Sequence, residues 1–238
     1  MSTRISQLIT ILCLSAISVV AQTKLDGFRR QLAAASDSTE IQRVIRAAEA
    51  ASLPTSDLIS LRLDVFNNLR HPITNERATV KERNALAQLS ISNEQWLLEN
   101  LNKHLAELDR LTPDDPATSH TAVTLAQLLQ EQRSFEESQD KRATAVKARN
   151  VRISNLYNKA LAIETKLAPN SANSLSVKVL LADHYLSTGQ FEEAIPMYEQ
   201  YLKGVEAAEG KGSAPVCEVS LIWRRSPTSH RISNSWRN

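Results

Sequence analysis

The residues of this sequence that could do chemistry stand mostly alone. Asp114-Asp115 places two carboxylates side by side, a pairing that can serve acid–base work or hold a divalent cation. Both lie between Pro113 and Pro116, just ahead of an apolar periodic run. There, acidic side chains cap free amides and complement the helix dipole, so a structural role is expected. The five histidines, His71, His104, His120, His184 and His230, are widely separated. None has the i,i+4 partner of a helical metal site. Asp183 adjoins His184, but neighbours in sequence point to different sides of a helix, so His184 reads as a packing or surface residue. There is no Cys-x-x-Cys, no Gly-x-Ser-x-Gly elbow and no Gly-rich phosphate loop. No catalytic residue, metal ligand or cofactor site is therefore expected, and the chain is not read as an enzyme.

The elements that would position any site are helices. Gly is scarce, at 5 of 238 residues, and aromatics make up 5%. Ala, Leu, Glu, Gln, Lys and Arg, which lose little on entering a helix, are abundant. A sheet protein of this length would need more β-branched, aromatic and turn residues. The expected fold class is all-α. The 28 basic and 26 acidic residues give a formal charge of +2, which offers no case for nucleic acid as a partner.

Four regions are expected: 1–21, 22–112, 113–209 and 210–238. In the first, Arg4 precedes the apolar run Leu8–Val20, and Val19-Val20-Ala21 supplies the small residues of a cleavage site before Gln22. That order belongs to a secretory signal peptide. An uncleaved N-terminal anchor is the alternative, although the run is short for a bilayer span. Cys13 would leave with the leader, so Cys217 would be the one cysteine of the mature chain and no internal disulfide could form. Export to the periplasm or the medium is expected, with no transmembrane segment after cleavage.

In 22–112 the pattern is a cap, an amphipathic run and a break. Asp37 and Glu40 have capping-box spacing, and Ile41, Val44, Ile45 and Ala48 mark one helix face. Leu53-Pro54 ends that helix. Thr55 or Ser56 caps the next, with a stripe of Leu58, Leu61, Val65 and Leu69, and His71-Pro72 ends it. A helix is expected from Thr74 or Asn75 to about Leu89. A second capping box, Ser92 and Gln95, is expected to open another at Trp96, carrying Leu97, Leu98, Leu101, Leu105, Leu108 and Leu111. That stripe fits a core-facing helix or a short coiled-coil seam.

Leu181 to Leu202 reads LADHYLSTGQFEEAIPMYEQYL. Leu181-Ala182, Tyr185, Gly189, Phe191, Ala194, Tyr198 and Leu202 fall in the order of a tetratricopeptide (TPR) hairpin. The chain therefore resembles that family, most clearly over 175–208. Tyr201 stands where the family has a small residue, and Glu206 where it often has proline. A degenerate copy spans 119–169, with Leu125-Ala126, Leu129, Phe135, Tyr157, Ala160-Leu161 and Pro169. Arg133 replaces the turn Gly. Phe135 and Tyr157 stand 22 residues apart, a surplus of about four helical turns, so one elongated second helix is expected. The hairpin starts are also similar to the longer repeats of the kinesin light-chain type.

The resemblance implies antiparallel hairpins stacked as a short α-solenoid. Its groove commonly binds peptides. Groove positions here would be His120, Gln127, Gln130, Ser176, Asp183 and Ser187, which are uncharged apart from Asp183 and favour neither an acidic nor a basic ligand. The array could equally pack on another domain. Lys141, Arg142, Lys147, Arg149 and Arg152 cluster along the chain, and Arg142, Arg149 and Arg152 would share one side. That side is either a solvated helix face or a site for an acidic partner or lipid surface. From Gly210 the periodicity stops, and a poorly ordered tail or an altered, truncated reading is expected. The functional expectation is an exported TPR-like adaptor that binds protein segments without catalysis. The alternative is the helical accessory part of a truncated exported enzyme, such as a thiol-disulfide protein. Partner identity, pathway and oligomeric state are left open by the sequence.

Overall fold

The computed structural model describes residues 22–70, 79–137 and 143–209. Residues 1–21, where a leader is expected, residues 210–238 with Cys217, and Arg142 lie outside the described residues. Every element among those described is a helix: α1 (22–34), α2 (Ser38–Ala50), α3 (Thr55–Arg70), α4 (Val80–Leu111), α5 (Pro116–Glu137), α6 (Ala143–Leu167), α7 (Ala172–Ser187) and α8 (Phe191–Glu209). The chain falls into two compact units, Met1–Ala106 and Glu107–Asn238, dividing within α4.

In the first unit the expected Asp37 cap and the stripe behind it form, whereas neither Thr55 nor Ser56 caps α3, which already begins at Thr55 with the Asp57 and Leu58 amides donating to the Pro54 carbonyl. The Asp37 carboxylate accepts from the amides of Thr39 and Glu40. Glu40 closes the box one residue early, accepting from the Ser36 amide at 2.7 Å. Ile41, Val44, Ile45 and Ala48 are buried and pack with Leu25, Leu32, Leu53, Leu61, Val65 and Leu89. Ser52 takes a left-handed φ of 52° in the turn that leads to Leu53-Pro54.

One further expectation in this region needs correction. Helix α4 opens at Val80, where Thr79 Oγ1 accepts from the Glu82 amide and the Glu82 carboxylate accepts from the Thr79 amide. The expected start at Thr74 or Asn75 lies outside the described residues. No new helix opens at Trp96: α4 is continuous for 32 residues. Neither Pro nor Gly occurs between Val80 and Leu111 to stop it. The Ser92 hydroxyl, free of capping duty, donates to the Leu89 carbonyl at 3.0 Å.

The described residues of the second unit are all-α, with adjacent helix pairs stacked in chain order: α5 on α6, α6 on α7 and α7 on α8. Asp115 caps α5 by accepting from the Ala117 amide at 2.8 Å, and Asp114 pairs with Lys166. The adjacent carboxylates thus have structural work. The α7–α8 turn needs Gly189, whose φ is +75°. Small residues sit where helices approach: Ala122, Ala126, Ala160 and Ala182 are fully buried. At Gly204 a Cβ would stand 2.3 Å from a Leu175 methyl. Pro196 is the sixth residue of α8, past the first turn, so it cannot give the Glu192 carbonyl its usual i+4 hydrogen bond.

The turn expected at Arg133 is not there, because α5 continues through it to Glu137. The surplus length is shared between a 22-residue α5 and a 25-residue α6, rather than placed in one elongated second helix. Arg133 is a good helix former without the conformational freedom of the glycine it replaces.

Candidate binding groove of the second unit

The predicted groove residues form one line on α5 and one on α7. His120 and Gln127 are exposed and Gln130 is half-buried, while Ser176, Asp183 and Ser187 are all exposed. Spacings of three, four and seven keep each line on one helix face. The Ser187 hydroxyl turns back to donate to the His184 carbonyl at 2.8 Å, which leaves its oxygen as an acceptor.

Behind these lines lies a seam of buried polar groups. Tyr157 of α6 has a fully buried ring, and its hydroxyl donates to Gln130 Oε1 at 3.2 Å. Burial pushes the Tyr157 phenol well above its usual range, and the negative charges of Asp183 and Glu131 push it further. Gln130 of α5 and Asp183 of α7 therefore both act on one hydroxyl from α6. Tyr198 of α8, 2% exposed, donates its hydroxyl to the Asp183 carboxylate. Its phenol is raised first by burial and then by that carboxylate. Burial raises the Asp183 carboxyl, and the Tyr198 bond pulls it part of the way back. Asp183 is thus open to solvent as a residue while its carboxyl end sits in a poorly hydrated place.

His184 faces the other way, as sequence neighbours on a helix should. Its ring is fully buried, with Nε2 at 3.1 Å from both the Asn150 carbonyl and Ser154 Oγ. A carbonyl only accepts, so Nε2 carries a proton. The ring packs between Tyr157 and Tyr185, with centroids 6.2 and 6.1 Å away. It is a packing residue at the α6–α7 joint. Nearby, Asn158 Nδ2 donates to the Tyr185 hydroxyl at 3.1 Å.

The repeat order picks out Tyr157, Tyr185 and Tyr198, but not the partners of their hydroxyls. The aromatic positions of a repeat are a signal for the ring alone. Of the expected basic face, Arg142 lies outside the described residues. Arg149 is half-buried, Arg152 is exposed, and both have interaction partners. Among the described residues, no group of three or more His, Cys, Asp or Glu lies close enough to hold a metal ion. Among the same residues, no helix is long and apolar enough to cross a membrane.

No family model matches this chain, and no curated protein matches it. Among solved structures it is similar to one titled "Crystal structure of BtubC (BKLC) from P. vanneervenii", with 18% identity and a TM-score of 0.38 over 84% of this chain. The chain spans 60% of the length of that protein. A likeness of this size carries no argument about function.

Proposed function

We propose that this chain is an exported TPR-like adaptor whose second unit binds an extended segment of a partner protein along α5 and α7, without chemistry. The observation that carries the reading is the solvent-open polar line Ser176, Asp183 and Ser187 on α7, backed by the rigid tyrosine seam. A row of donors and acceptors on a stiff scaffold suits an extended backbone, whose amides and carbonyls need partners. Helical arrays use such faces for binding because their helices hold the contacts at fixed spacing. The export part of the proposal rests on the Arg4, Leu8–Val20 and Val19-Val20-Ala21 pattern.

Site-specific photo-crosslinkers test the binding face. Placed at Ser176 or Ser187, they should trap defined segments of a partner. Placed at exposed Asn155 of α6, they should trap none of these segments. Equal capture at all three positions, or none, would overturn the groove. Cell fractionation tests export: a cytoplasmic protein with residues 1–21 intact removes that part of the reading.

A further inference from the structure

We draw no further inference here: the strongest candidate, the exposed uncharged face of α6 that carries Ala148, Val151, Asn155, Asn158 and Ala162 at alternating spacings of three and four, is a stripe of mostly small residues, and nothing in the structure shows what covers it.

Discussion

The two units of this molecule bury polar groups in different ways. In the first, they are gathered into one knot. Arg62 of α3 sends Nη1 to Asn93 Oδ1 at 3.1 Å and Nη2 to Glu49 Oε1 at 2.5 Å. Asn93, fully buried, returns a bond to the Arg62 carbonyl at 2.9 Å. The guanidinium lies 4.2 Å over the Trp96 ring. Around this knot the core is Leu, Ile, Val and Ala. In the second unit the polar contacts are spread, with one or more at each helix joint. Tyr157–Gln130 joins α5 to α6, His184 with Ser154 and Asn150 joins α6 to α7, and Tyr198–Asp183 joins α7 to α8. Apolar contacts tolerate sliding and rotation, whereas a hydrogen bond to a buried partner does not. A distributed set therefore fixes the rotation of each helix and aims its outer polar line.

Truncation should expose this contrast most strongly. Tyr157→Ala removes a fully buried ring and should lower unfolding free energy by about 4 kcal/mol, read from urea denaturation. Tyr157→Phe keeps the ring and should cost about 1 kcal/mol, the worth of one hydrogen bond. Equal losses would mean the hydroxyl, not the packing, dominates the seam.

Arg62→Met should cost about 3 kcal/mol, because it leaves Asn93 buried without its donor and strips the cover from Trp96. Hydrogen exchange should show lost protection in α2, α3 and α4 around the knot. A loss below about 1 kcal/mol would show that the apolar core alone holds the first unit, and the contrast would fail there.

Gly189→Ala places a side chain at a φ of +75°. Nothing lies within 4 Å of the added Cβ, so the penalty is conformational, about 1 kcal/mol. A thermal melt that matched wild type would show the turn readjusting.

The smallest effect is a trend with pH. Burial raises the Asp183 carboxyl above its ordinary value, so the folded chain holds that proton more readily than the unfolded chain. Ionised Asp183 is therefore unfavourable to folding at neutral pH, and stability returns as pH falls through its raised range. Asp183→Asn has no such proton. Its melting temperature should exceed that of wild type most at pH 7, and the difference should shrink towards pH 4. A difference that grew instead would mean the charged Tyr198 bond outweighs burial.

Much of this architecture was written locally. The Asp37 cap, the Leu53-Pro54 break and the Gly189 turn each act within a few residues, and each stands where the chain chemistry put it. Failures came where two local signals competed. Ser92 and Gln95 have capping-box spacing, yet a helix already under way from Thr79 leaves no free amide there to cap. Arg133 occupies a turn position of the repeat pattern but continues α5 as a good helix former. At the candidate groove, the exposure of His120, Gln127, Ser176, Asp183 and Ser187 was legible from helical phase. The engagement of Gln130 with Tyr157 was not, because the two lie 27 residues apart.

The sequence by itself determined that this chain is helical, where most helices begin and end, and which face of each is apolar. Those properties depend on propensity, caps and periodicity, which act over one or two turns. Only the tertiary structure decided which buried tyrosine meets which acceptor, that Asp183 is held from α8 while His184 is held from α6, and that Arg62 closes on Asn93. Such pairings join residues 13 to 34 positions apart. They depend on how helices rotate against one another, and an apolar stripe wide enough to pack leaves that rotation free until the polar groups choose it.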